Sequence, residues 1–256
     1  MKLLLCALIS FKFVSLNPSV TETFFLLGAQ DSLLALSYYC NYPKETETKP
    51  KVGDLLNPDY EKILALKPDF VIISLPMQKQ VQRNLEKLGI LWVAFNPESV
   101  EEILHMIDSL AVLTGRGERG RQVTDSLTQI LSKLKPLKNK PKVYIELSEN
   151  PIYTVSRRSF ISEVFEYAGG INIFSEQGQA YFVPNQEKIL EKNPDFIFLL
   201  YPGADKKRVE KRLGWENVNA VKMNRIYTLD ADLYTRPGPR IFEAVLKANY
   251  LLQSCP

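Results

Sequence analysis

Apolar and polar positions along the chain fall into short blocks of two alternating kinds. FKFVSL (Phe11 to Leu16) is rich in aromatic and β-branched residues and stops at the turn-forming Asn17-Pro18-Ser19, which predicts a strand. Ser19 and Glu22 then make the S-x-x-E pattern of a capping box, so a helix is expected from there to Gly28. A weak strand near Leu33 to Ser37 leads into the polar-aromatic loop YYCNYP. Asp59 caps a helix through Leu66, Pro68-Asp69 breaks it, and FVIIS (Phe70 to Ser74) reads as a buried strand. A helix over about Gln78 to Leu88 and a strand over Leu91 to Phe95 complete the series. Such alternation argues for parallel sheets with helical crossovers.

From Ser99 to Lys135 the pattern becomes helical, broken only between Gly115 and Gly120. After that break Val123, Leu127, Ile130 and Leu134 recur at spacings of three and four, as one face of a helix. KVYIELS (Lys142 to Ser148) opens a second alternating series, which ends in a helix from about Pro239 to Gln253. The two series share a sentence: EKILALKPDFVIISLP starts at Glu61 and EKILEKNPDFIFLLYP at Glu187, 126 residues later. The expected organisation is an N-terminal α/β lobe at 11–115, a connecting helix at 116–135 and a C-terminal α/β lobe at 136–256, each lobe holding one copy of the same helix-to-strand unit.

Composition narrows the function. Net charge is only +3, and no basic run interleaved with aromatic residues is present, so nucleic acid is not an expected partner. Cys6, Cys40 and Cys255 stand apart, with no C-x-x-C pair and no ligand-like spacing to the single histidine, His105. Whether Cys40 and Cys255 pair stays open. MKLLLCALIS at residues 1–10 has the outline of a short export signal, and a plain hydrophobic N-terminus is the other reading.

Catalytic machinery is not legible. Gly115-Arg116-Gly117-Glu118-Arg119-Gly120 matches G-x-G-x-x-G, but it follows a helix where a dinucleotide site needs a strand. His105 lies between Leu104 and Met106 in the helical stretch, and a serine elbow, a P-loop and H-E-x-x-H are all missing. No catalytic residue, protein-bound metal or cofactor is expected. Glu61 and Glu187 both fall at the second position of a helix, where an acid complements the helix dipole; as matched carboxylates they also suit a two-point contact with basic residues of a partner. Tyr38, Tyr39, Tyr181, Phe182, Tyr201 and Tyr234 cluster where loops follow strands, the ligand side of an open parallel sheet. They suit a large, flat, partly apolar ligand.

SLNPSVTETFFLLGA, YYCNYP, NPDYEKILALKPDFVI, the TGRGERG entry to a long helix and the D-L-Y-T-RPGPR run from Asp232 to Arg240 together resemble the periplasmic binding proteins that deliver vitamin B12, ferric siderophores or haem to ABC importers. The resemblance implies two Rossmann-like lobes bridged by one helix, with the ligand held between them. It implies docking on a two-fold permease dimer through Glu61 and Glu187, each meeting arginines there. The vitamin B12-binding member is the nearest likeness: Tyr39 matches a tyrosine facing the corrinoid, Tyr181 stands near a tryptophan, and Asp232 falls on a ligand-contacting aspartate. Leu55 takes the place of an aromatic that stacks on the corrin, and Ala168 replaces a disulfide-forming cysteine before Gly169-Gly170. Tyr234 and Arg236 complete the expected ligand set, with Arg236 suited either to a ligand carboxylate or to bracing the RPGPR turn.

The function so implied is that of an extracytoplasmic substrate-binding protein, associated with the membrane through its importer, that binds cobalamin, another corrinoid or a ferric chelate. An α/β enzyme acting on a small substrate and a cytoplasmic chelate carrier are the competing classes.

Overall fold

The computed structural model describes residues 11–253. Residues 1–10, with the candidate export signal and Cys6, and Cys255, with its candidate bond to Cys40, lie outside the described residues. The chain divides into two compact units, residues 1–97 with 103–126, and residues 98–102 with 127–256.

In the first unit β1 (Phe13–Ser15), α1 (Pro18–Leu26), β2 (Leu33–Leu36), α2 (Tyr60–Leu66), β3 (Phe70–Ile73), α3 (Lys79–Lys87) and β4 (Trp92–Ala94) alternate as the sequence predicts. The four strands are parallel, in the order β2-β1-β3-β4. One face packs Val14, Leu16, Val71 and Ile73 against Ile63 of α2 and Val81 and Leu85 of α3. On the other, the Phe13 ring meets Phe24 of α1 edge-on at 5.2 Å.

The cap of α1 is Asn17, not Ser19: the Asn17 side chain accepts from the Val20 amide. Pro18 explains the shift, because proline has no N–H to satisfy and its fixed φ suits the first helical position, which moves the cap one residue ahead of it. Ser19 is buried inside the helix.

The helical stretch is two helices, α4 (Val100–Leu113) and α5 (Gly117–Ser132). Gly115 ends the first with a left-handed φ of 67°. Gly120 lies against Ala111, where an added Cβ would sit 2.4 Å from the alanine Cβ. The glycine motif is therefore a helix terminator followed by a close helix contact.

The second unit contains β5 (Lys142–Glu149), β6 (Ile152–Val155), α6 (Phe160–Tyr167), β7 (Ile171–Asn172), β8 (Tyr181–Phe182), α7 (Gln186–Lys192), β9 (Phe196–Leu199), α8 (Lys206–Glu210), α9 (Asn219–Lys222), β10 (Ile226–Thr228), α10 (Ala231–Thr235) and α11 (Ile241–Leu252). Its sheet order is β10-β9-β5-β6-β8, with β7 also on β5. This sheet is mixed, not parallel throughout, because β6 runs antiparallel to both β5 and β8. The turn residues Asn150 and Pro151 separate two β-rich runs, and Glu149 pairs with Ile152 across them as a tight hairpin. Asn249 of α11 ties the unit together: its amide donates to the carbonyls of Lys135 and Ala168, and its oxygen accepts from the Lys135 amide.

The repeated sentence is a repeated piece of geometry. α2 and α7 are both seven residues long and end on a left-handed residue, Lys67 (φ 48°) and Asn193 (φ 47°). After each comes Pro-Asp. The Asp69 carboxylate accepts from the Lys12 amide at 2.6 Å, and the Asp69 amide returns a bond to the Lys12 carbonyl. Asp195 makes the same two bonds with Lys142, its carboxylate at 2.9 Å. Each clamp sets the register in which the following strand pairs with its unit's first strand, Phe70 with Phe13 and Phe196 with Val143.

Gly120→Ala should destabilise the protein. Gaining helix propensity is worth about 1 kcal/mol, but forcing a methyl into a filled helix contact costs about 1 to 3 kcal/mol. A lowered midpoint in urea denaturation with unchanged slope is the expected result, and a raised midpoint would contradict the close contact.

Candidate functional site

The loops beyond the carboxyl ends of the strands are braced from below. In the first unit Asn17 donates to the Ser74 hydroxyl at 3.0 Å and the Phe95 carbonyl at 3.1 Å, linking the ends of β1, β3 and β4. The Tyr38 amide donates to the Gly53 carbonyl at 2.8 Å, which joins the loop after β2 to the segment carrying Leu55. Lys51 adds a bond to the Cys40 carbonyl at 2.8 Å, and burial pulls its ammonium below the usual lysine range. Tyr38 and Tyr39 project from this loop 62% and 53% exposed. Leu55 is half-buried, and its carbonyl accepts from the fully buried Gln78 side chain at 2.6 Å. Cys40 is buried among Thr21, Ser37 and Ser15, and burial raises its thiol above the usual range.

In the second unit one row of paired residues crosses the sheet: Phe182, Thr154, Glu146, Leu199 and Thr228. Tyr181 stands at one edge of this row, and Asp230 and Asp232 follow its other edge. Four inter-strand steps separate the edges, about 19 Å at roughly 4.8 Å each. Tyr181 is 46% exposed, and its oxygen accepts from the Ser159 hydroxyl, the cap of α6, at 3.1 Å. Asp232 and Arg236 are one helical turn apart and form an ion pair at 2.6 Å, with the Arg236 side chain only 12% exposed. Tyr234 is placed differently from the exposed tyrosines. It is buried, stacked on Phe165 at 5.7 Å.

The middle of the row holds a group that sequence reasoning did not select. Glu146 is fully buried on β5, and its carboxylate receives two Arg212 N–H groups at 2.6 and 2.8 Å and the Tyr201 hydroxyl at 2.9 Å. Tyr144 adds a longer bond at 3.3 Å. Burial, then the adjacent Glu146 charge, push the phenol of Tyr201 well above its ordinary value, so it stays protonated. The Arg212 guanidinium also lies over the Trp215 ring at 4.8 Å. One signal was available: a lone glutamate in the apolar run KVYIELS. Its partner 66 residues away carried none.

Glu61 and Glu187 are exposed on the first turns of α2 and α7. Asp59 and Asn185 are the caps, accepting from the amides of Lys62 and Glu187 at 3.0 and 2.8 Å. The ion pairs on these helices run between neighbours, Asp59 with Lys62 and Lys188 with Glu191. Among the described residues no group of three or more His, Cys, Asp or Glu could hold a metal ion, and no helix is long and apolar enough to cross a membrane. His105 is exposed on α4.

Comparison with known proteins agrees with this architecture. A family model described as periplasmic binding protein matches residues 13–233. An ABC transporter substrate-binding lipoprotein of Bacillus subtilis, YvrC, is 34% identical over 248 residues, covering 91% of this chain and 77% of that protein. A vitamin B12-binding protein of Vibrio cholerae is 30% identical over 240 residues, covering 91% and 86%. The crystal structure of a possible iron-binding (periplasmic solute-binding) protein from Staphylococcus epidermidis superposes with a TM-score of 0.83 at 28% identity, covering 94% of this chain and 98% of that one.

Arg212→Leu should cost about 3 to 5 kcal/mol of stability, because it leaves the Glu146 carboxylate buried without its partner. Glu146→Leu combined with Arg212→Leu should recover most of that loss. Denaturant titration of the three proteins tests this, and a double variant no more stable than Arg212→Leu would show that the apolar replacement fails to pack.

Proposed function

The chain belongs to the periplasmic binding protein family, and we propose that it captures a metal chelate outside the cytoplasm and delivers it, chemically unchanged, to the permease of an ABC importer. The observation that carries the reading is the duplicated unit: two capped helices, each opening with an exposed glutamate at its second position, one in each compact unit. An acid in a helix's first turn is explained by the dipole alone. Two acids at matched positions of two related units are what a partner with two-fold symmetry calls for, and arginines of a permease dimer would meet them.

The cargo is cobalamin or another corrinoid, or a ferric siderophore or haem. Vitamin B12 binding by one relative and the possible iron binding of the structural neighbour support this range. Tyr39 and Leu55 in the first unit, and Tyr181, Asp232 and Arg236 in the second, form the ligand set. Tyr234 serves it from beneath, as the buried base of α10, which carries Asp232 and is followed by Arg236. Edges of the second sheet about 19 Å apart suit a broad, rigid ligand better than a small one. The metal arrives inside its chelator, so the protein supplies walls and hydrogen bonds in place of metal ligands.

Titration of the purified protein with cyanocobalamin, haemin and a panel of ferric siderophores, read by calorimetry, should give saturable one-to-one binding of at least one of them. Silence across the panel would remove the proposed cargo. Glu61→Ala with Glu187→Ala should leave the affinity nearly unchanged while abolishing transport in cells carrying the importer; a large loss of affinity would place these residues in the ligand site. Tyr181→Ala should weaken chelate binding by about 1 to 3 kcal/mol.

A further inference from the structure

Just past β9 and β10 the second unit has a cavity of about 360 Å³, with Tyr201, Gly203, Thr228, Asp230 and Asp232 on its lining. Tyr201 is half-buried there, and it is tethered by its own proton, which it donates to Glu146. The tether is itself fixed. Two Arg212 bonds and one from Tyr144 surround the same buried carboxylate, so the phenol cannot swing away without giving up its bond to a fully buried charge. A buried ion pair is weak evidence for stability, since apolar residues of similar size often serve as well. Its position, one strand-end away from a cavity that also includes Asp232, points to positioning. A side chain held before the ligand arrives loses little freedom on binding, which favours affinity.

The chemistry of the lining follows from the same contacts. With its proton committed to Glu146, the Tyr201 oxygen has only acceptor capacity left. The charged side chains on the lining are Asp230, whose carboxylate caps α10 by accepting from the Asp232 amide at 3.0 Å, and Asp232, whose charge is met by Arg236 at 2.6 Å. Between the Tyr201 oxygen and the Asp230 carboxylate a carboxylate arm would lose water and face acceptors, whereas an uncharged arm bearing N–H groups would bond to them.

We propose that Tyr201 is a further ligand-contacting residue, positioned by the Glu146–Arg212 pair, and that this cavity takes an uncharged hydrogen-bond-donating arm of the chelate, such as a carboxamide, and selects against a carboxylate. The inference rests on the substrate-binding function above. Its test is a calorimetric titration with cyanocobalamin, mono-acids made from it by hydrolysing one side-chain amide, and haemin, using the full chain and its Tyr201→Ala and Tyr201→Phe variants, with thermal unfolding run alongside. At least one mono-acid should bind roughly tenfold or more weakly than the parent amide, a difference of about 1.4 kcal/mol. Tyr201→Ala should lose about tenfold or more in affinity for cyanocobalamin, with Tyr201→Phe falling between it and the wild type, and both should melt below the wild type but well above the titration temperature. Glu146→Leu with Arg212→Leu, which removes the tether without stranding a charge, should match Tyr201→Phe. Unchanged affinity in Tyr201→Ala, mono-acids that all bind like the parent, or haemin bound more tightly than cyanocobalamin would each overturn the proposal while leaving the substrate-binding function in place. A wild type that binds none of these probes but does bind a ferric siderophore would overturn this proposal alone, and one that binds no siderophore either would overturn both.

Discussion

Everything in each unit is hung from a carboxylate that holds the backbone at the mouth of its first strand. Asp69 grips the Lys12 amide, and Asp195 grips the Lys142 amide. A parallel strand pair has no hairpin to set its register, so something else must choose which residue faces which. Here the choice is made by a left-handed turn, a proline that forbids the helix to continue, and an aspartate that bonds the neighbouring strand before pairing begins. Once Phe70 lies beside Phe13 and Phe196 beside Val143, the apolar faces of both sheets point to their helices.

The register then decides where the chemistry falls. Because Glu146 pairs with Leu199 at the end of β9, its charge lands level with the strand ends, within reach of Tyr201 and Arg212 in the loops beyond. A slip of one residue would turn Glu146 away from Arg212 and toward the face occupied by the stacked rings of Phe165 and Phe198. The buried charge thus tolerates a single alignment of β5 with β9, and the strand-end loops inherit that alignment.

Much of this was legible because proline, glycine and capping residues mark their elements locally. Asp59 and Asn185 announce α2 and α7, and Gly115 announces the break before α5. What escaped was non-local or competed with a stronger local signal. Pro18 moved a cap from Ser19 to Asn17. The Asn150-Pro151 turn made a hairpin inside a series that otherwise reads as crossovers, and so mixed the second sheet. The window around Tyr234 is too short and too rich in proline for periodicity to say which side faces inward, and the structure buries that ring on Phe165. Of the expected ligand residues, Tyr39 in the loop after β2 and Tyr181 on the short edge strand β8 stand exposed. The Glu146–Arg212 pair could be seen only in three dimensions.

The chain has two tryptophans, and the fold assigns one to each compact unit. Trp92 sits on β4, partly buried against the apolar core of the first unit. Trp215 is fully buried in the second, directly beneath the Arg212 guanidinium. The two indoles therefore sit in different surroundings, one against an apolar core and one under the guanidinium that Glu146 holds. Each unit carries its own optical gauge, and a change confined to one unit would alter one indole's emission without any dye attached to the protein.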